Sequence, residues 1–268
     1  MTSLLHDTAT TSYAIHLESM TTTLTTAGLN RYALLQIYTF AGGTAASVSG
    51  GGTWVKIQQD TTNKNGEVWG CSLAAQQTSV TVTITFSTTI NYCLAQIIPF
   101  YISAGTMPQL DASSMTIVSG ASPSASLTTS MNNTDVIAFV SCSSNTGAPD
   151  VFAAGSGSTL LNSMSESAPY VAIGAEIWST DVPASGTTIT QGFTLTSTLG
   201  TPTAVLMILV SLTFSGPVCT QENFQIYNDD GTTINNESQY AGLLLTAAQN
   251  AATYDIEALA QKIGRAHV

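Results

Sequence analysis

The sequence predicts an all-β chain: a β-sandwich, jelly-roll or Ig-like, built from two similar halves and followed by a truncated C-terminal extension. Three observations predict it. Only 8% of the 268 residues are charged while 44% are hydrophobic, a balance that favours a buried core over disorder. Thr, Val and Ile are abundant, and β-branched side chains suit strands. Short strand-like runs alternate with Gly, Ser, Asn and Pro turns, and no long helical pattern precedes residue 240.

The elements follow in order. SYAIHLES, which contains His16, reads as a strand, and RYALLQIYTF (Arg31 to Phe40) as a fully buried one. AGGTAASVSGGG is turn-rich and leads into GTWVKIQQ. TTNKNG is the next turn, before EVWGCSLA. VTVTITF (Val80 to Phe86) is the clearest half-buried strand, with Val80, Val82, Ile84 and Phe86 on one face and Thr81, Thr83 and Thr85 on the other. CLAQIIPFYI (Cys93 to Ile102) is apolar throughout; Pro99 donates no ladder bond and belongs at an edge or bulge. After the link SAGTMPQLDASS (Ser103 to Ser114), DVIAFVSC, YVAIGAEIW, TTITQGFTLTS and TAVLMILVSLTF supply the second set of strands, separated by turns such as SSNTGAPD and DVPASG.

The two sets match as an internal duplication of a six-strand unit, offset by roughly 100 to 110 residues. Asp7 pairs with Asp111, Leu24 with Leu127, and Asn30 with Asn133. SGGGTWV (Ser49 to Val55) meets GSGSTLL (Gly155 to Leu161), so Trp54 has Leu160 as counterpart, and Trp69 meets Trp178. The expected organisation is a duplicated sandwich over 1–216, with halves at about 7–102 and 111–214. The halves stand either as tandem sandwiches or interleaved about a pseudo-two-fold axis; the short link favours an intimate double unit. The polar stretch from Pro217 to Gln261 reads as the start of a second, truncated module.

Residues 262–268 read as foreign. IGRAHV (Ile263 to Val268) is the translation, in frame to a stop, of a common sequencing adapter, and Lys262 fits the preceding codon. The expectation is that the natural chain continues past Gln261. Setting Lys262 and Arg265 aside leaves three basic residues, Arg31, Lys56 and Lys64, against 16 acidic ones, so the net charge moves from −11 to −13.

That charge opposes nucleic-acid backbones and anionic membrane surfaces. The longest apolar run, Ala204 to Val210, is far shorter than the ~20 residues of a spanning helix. The N-terminal MTSLLHDTATT lacks the features of a secretory signal. Cys71, Cys93, Cys142 and Cys219 show no metal-like spacing; they permit three disulfide pairings among which the sequence does not choose, and the favoured reading is buried free thiols.

Catalytic chemistry finds no foothold. Outside the tail that holds His267, only His6 and His16 offer a base, and GSGST (Gly155 to Thr159) reads as a turn rather than a nucleophile elbow. Asp60, Glu67, Asp111, Glu176 and Asp181 show no spacing that marks a glycosidase pair. No cofactor or zinc site is expected. Asp229 and Asp230, in the oxygen-rich turn Asn228 to Gly231, are weak calcium candidates without EF-hand spacing. Trp54, Trp69 and Trp178 are weak ligand-binding candidates, since exposed aromatics stack on sugars.

The Gly-rich turn followed by GTWVKI, EVWGCSLA, the Thr-alternating VTVTITF and a closing apolar strand resembles the β-sandwich modules of phage and prophage structural proteins, tail or fibre-type, and of large bacterial surface proteins. ENFQIYNDDGT (Glu222 to Thr232), with Ala247-Ala248-Gln249 after it, resembles the opening of a module that follows such sandwiches. The resemblance implies a noncatalytic structural or adhesive role in a phage virion or appendage. The alternative is a carbohydrate-binding or adhesion module at a bacterial cell surface. Its expected partners are other virion or appendage proteins, host surface glycans and a second copy of the chain, with no nucleic acid and no membrane insertion. Assembly is expected through sheet edges and apolar patches, with loops left for host contact.

Overall fold

The computed structural model describes residues 4–27, 29–40, 43–63, 65–102, 107–143, 151–166, 171–195 and 204–214. Among them the chain is all-β, with no helix and only antiparallel pairings. The first half holds β1 (Leu5–His6), β2 (Thr10–Leu24), β3 (Leu29–Phe40), β4 (Ala45–Ser49), β5 (Thr53–Gln59), β6 (Gly66–Leu73) and β7 (Val80–Ile102). The second holds β8 (Gln109–Val118), β9 (Ser124–Thr128), β10 (Thr134–Ser143), β11 (Phe152–Ala154), β12 (Ser158–Glu166), β13 (Val171–Trp178), β14 (Thr188–Leu195) and β15 (Val205–Thr213).

β7 is the spine of the first half. Its C-terminal stretch pairs with β3 and with the start of β2; its N-terminal stretch pairs with β4 and with the end of β2. β6 and β5 extend the sheet beyond β3. The second half repeats this scheme with the long strands broken. β15 pairs with β10 and β8, β14 pairs with β11 and β9, and β13 and β12 follow β10. Each half is therefore its own sandwich of one large and one small layer.

Details differ from the sequence reading. VTVTITF and CLAQIIPFYI are one 23-residue strand, bent past a register shift opposite Leu17 and Ser19. β4 lies inside the stretch read as a turn, because its Ala and Ser fill a narrow layer rather than a broad core face. The link Ser103 to Ser114 already contains the start of β8, so the halves carry seven and eight strands instead of six.

The large layers of the two halves pack face to face. β5 lies against β8, β6 against β15, β3 against β10 and β7 against β13. Exchanging the halves maps β3–β10 onto itself and β6–β15 onto β7–β13, as across an isologous dimer interface, while β5–β8 has no matching contact of similar extent between β12 and β1 or β2. The strands do not interleave; two sandwiches stack about a pseudo-two-fold axis to give four layers.

This stacking explains the continuous apolar runs. Along β3, Ala33, Leu35 and Ile37 face the core of their own sandwich, while Tyr32 and Leu34 face the seam between halves. Along β10, Val136, Ala138 and Val140 face inward and Ile137 and Phe139 meet that seam. Strands buried on both faces lose the alternation that one-sided burial imposes. In the small layers one face stays wet. Val82 and Ile84 are buried while Thr81 and Thr85 are exposed, and hydroxyls pair across strands at Ser126–Thr190 (2.7 Å) and Thr128–Thr188 (2.8 Å).

The seam also holds a buried amide relay. Gln96 donates through Nε2 to Gln36 Oε1, Gln36 Nε2 donates to the Val140 carbonyl at 2.9 Å, and Asn162 Nδ2 donates to Gln96 Oε1 at 2.7 Å. A satisfied polar group in an apolar seam penalises any slide that would unpair it. The duplicated aspartates do the same work in each half. Asp7 accepts from the Ala27 amide at 2.7 Å, and Asp111 accepts from the Ser130 amide at 3.1 Å.

Apart from the two-residue β1, each outer strand of the large layers carries an irregularity: β2 at Leu17/Ser19, β5 at Lys56/Gln58, β8 at Ser211/Leu212 of its partner, and β12 at Leu160/Asn162. Bulged edges resist strand addition. Full-length edge pairing is thereby disfavoured as the route of assembly.

Candidate functional site

Strand register aligns the halves residue by residue and shows where they depart from symmetry. Ala33 pairs with Pro99 and Val136 with Ser211, so Pro99 and Ser211 occupy equivalent places. In the second half β8 runs through this region, with only a bulge at Asp111. In the first half the strand breaks: β1 ends at His6, β2 begins at Thr10, and the Asp7 amide donates to the Pro99 carbonyl at 2.9 Å. A residue's N–H and C=O leave a strand on the same side, so proline withholds its missing donor from this flank. Pro99 is interior to its sheet yet sits against a gap.

A second departure lies across the gap. The bulge residues Ile57 of β5 and Leu161 of β12 are equivalent, and so are Gln58 and Asn162. On one side of the pseudo-axis Gln58 Nε2 donates to Ser113 Oγ at 3.2 Å and bridges β5 to β8. On the other side Ala9 stands where Ser113 would be, and the shorter Asn162 turns inward to Gln96. The result is a cleft of about 300 Å³ between the halves, lined by His6, Asp7, Thr8, Ala9, Leu161 and Asn162. His6 and Thr8 are exposed, and the other four are half-buried. Imidazole, carboxylate, hydroxyl and amide thus share one polar recess, with Ala9 and Leu161 as its apolar patch.

No protein family, curated protein or solved structure matches the chain.

The buried carboxylates make contacts within the sheets and turns. Glu67 accepts from the Ala45 amide of the small layer at 2.6 Å and pairs with Lys56 at 2.7 Å. Lys56 Nζ also lies 5.0 Å from the Trp69 ring centroid. In the second half Glu176 makes the same kind of cross-layer reach, accepting from the Gly155 amide at 2.9 Å. Leu160 stands where Lys56 would be, so Glu176 has no such cation. Burial pushes its carboxyl up to about 7, against hydrogen bonds from Gly155, Ser158 and Gly192 that pull it down. Asp135 is likewise pushed up to about 7, first by burial and then by Asp181, while the Leu4 amide opposes the rise. The bridge Thr134–Val182 places these two carboxyls side by side. Asp60 accepts from the Thr62 and Asn63 amides and shapes the turn after β5. Of the carboxylates the sequence offers, Asp60, Glu67, Asp111, Glu176 and Asp181 lie in separate contacts, and the one close pair, Asp135 with Asp181, joins Asp181 to a residue outside that set.

The tryptophans sit elsewhere than the cleft. Trp54 and Trp69 are each 7% exposed, and Trp54 Nε1 donates to the Gly50 carbonyl at 2.8 Å. Both belong to the core of the first sandwich. Trp178 is half-buried against the core of the second. Register corrects two correspondences read by residue type. Trp54 pairs with Cys71, and the equivalent pair is Ser158 with Trp178; Trp69 has Glu176 as its equivalent. One indole is thus exchanged between neighbouring strands, with a small residue opposite it each time, so each sandwich end holds one bulky ring. Packing explains that exchange.

His16 adopts φ 48° at the bend of β2 and is exposed, with its ring 6.0 Å from that of Tyr92. Ser158 of the GSGST stretch begins β12. Cys71, Cys93 and Cys142 are buried on β6, β7 and β10; burial pushes the Cys71 thiol up to about 11 and raises that of Cys93 as well. Asp229, Asp230 and Cys219 lie outside the described residues. Among the described residues no group of His, Cys, Asp and Glu could hold a metal ion. The sequence alone does not single out Thr8, Ala9, Leu161 or Asn162 of this cleft. The signal for them was Pro99 against Ser211, which emerges once the halves are aligned by register.

Proposed function

We propose that the chain is a noncatalytic structural and adhesive protein of a phage virion or appendage. The observation that supports this reading best is the fused, isologous four-layer stack. Its inner seam is apolar and pinned by amides. Its two outermost layers are small and hydroxyl-rich, with no charged residue in β4, β9, β11 or β14. Such a stack is a stiff body that carries loops and faces at fixed spacing. Glu67 and Glu176 each accept an amide from another layer, contacts that support a structural reading.

The cleft favours a second reading, a carbohydrate-binding or adhesion module of a bacterial surface protein. Both readings predict binding without turnover. The test is a glycan array probed with the full chain, followed by mass spectrometry of the bound glycans. Retention of intact glycans is expected. Shortened or modified glycans would make the protein an enzyme and overturn the proposal.

A further inference from the structure

We propose that the cleft between His6–Ala9 and Leu161–Asn162 binds a terminal neutral sugar residue of a surface glycan. The inference deepens the adhesive reading and rests on it. Three substitutions relative to the other side of the pseudo-axis create the recess together. Pro99 in place of Ser211 breaks the strand at Asp7–Ala9. Ala9 in place of Ser113 removes the acceptor of the closing bridge, and Asn162 in place of Gln58 shortens its donor. On the symmetric side that bridge closes the seam at 3.2 Å. The Gln58–Ser113 bridge has no counterpart beside the cleft, so the opening is particular to this side of the pseudo-axis.

The chemistry of the walls selects the ligand. A volume of about 300 Å³ is at the small end of ligand pockets, which suits one sugar ring and not a chain. The Asp7 carboxylate accepts from sugar hydroxyls and disfavours anionic groups. His6 and Asn162 bring imidazole and amide groups, and Thr8 a hydroxyl that can donate or accept. Leu161 and Ala9 offer the apolar surface that the C–H face of a pyranose covers. A chain of net charge −11 further favours a neutral sugar over sialic or uronic acids.

The test is chemical-shift mapping on the full chain with glucose, galactose, mannose and N-acetylglucosamine at millimolar concentration. At least one is expected to move the amides of His6–Ala9 and of Leu161–Asn162. The double variant Ala9→Ser with Asn162→Gln copies the closed side of the axis and is expected to weaken binding at least tenfold. His6→Ala, at an exposed position, should weaken it with the thermal midpoint unchanged, which keeps the test informative if the double variant unfolds. Shifts confined to other residues, or a double variant that binds as well as the wild type, overturn the assignment. If glycans bind on the array while the cleft amides stay still with all four sugars, the site is wrong and the adhesive reading survives. If neither responds, both fail.

Discussion

Glu176→Gln isolates one buried carboxyl whose protonation is linked to folding. Glu176 is fully buried, at 0% exposure, and its carboxyl rises from 4.5 to about 7 on folding. At ~1.4 kcal/mol per pH unit this is about 3 kcal/mol of linkage. The sign follows from the direction. Below the unfolded value both states hold the proton and the stability is fully present. Between the two values the folded state keeps a proton that the unfolded chain releases, so stability falls as pH rises toward 7. Glutamine keeps an acceptor for the Gly155 amide and has no proton to lose, so the variant lacks this decline. Urea unfolding followed by tryptophan fluorescence at about pH 5 and about pH 8 measures it. The variant's stability relative to wild type should increase by up to about 3 kcal/mol between the two, or roughly 6–12 °C in Tm for a domain of this size. Asp135 titrates in both proteins and cancels in the difference. A relative stability that does not change with pH, or that falls as pH rises, would refute the reasoning.

Other substitutions follow from the same geometry. Asp135→Asn removes one carboxyl of the pair with Asp181; because Asp135 is raised from 3.8 to about 7, its advantage over wild type should grow as pH rises from about 4 toward 7 and level off above, read as the thermal midpoint against pH. Gln36→Leu removes the centre of the seam relay and leaves the Gln96 amide and the Val140 carbonyl each short of a partner, so it should cost about 1–3 kcal/mol in urea unfolding. Gly50→Ala combines φ 101° with a Cβ driven into the Thr81 carbonyl oxygen, and should lower the thermal midpoint more than Gly186→Ala, where φ is 76° and no atom lies within 4 Å.

Much of this fold was legible in the sequence because its strands declare themselves. VTVTITF alternates since β7 has one wet face there, and DVIAFVSC does not since β10 is buried on both. What covers the second face of β3 and β10 was not legible. A fully apolar strand shows that something packs on it, and only the seam residues Tyr32, Leu34, Ile137 and Phe139 show that it is the other half. β4 escaped notice because Ala-Ala-Ser-Val-Ser carries little strand signal, and it is held in place by pairing with β7. The tryptophans misled the alignment. Register places the indole on β5 in one half and on β13 in the other. The cleft was hidden for a related reason: none of its lining residues is unusual by itself, and Pro99 becomes informative only beside Ser211.

The virion reading is tested most directly by quantitative mass spectrometry of purified phage particles, washed free of lysate, from the culture that expresses this chain. A structural role predicts its peptides in the particles at a fixed ratio to the other virion proteins, enriched over the lysate. Peptides found only in the lysate or on the bacterial envelope, and absent from the particles, would contradict it.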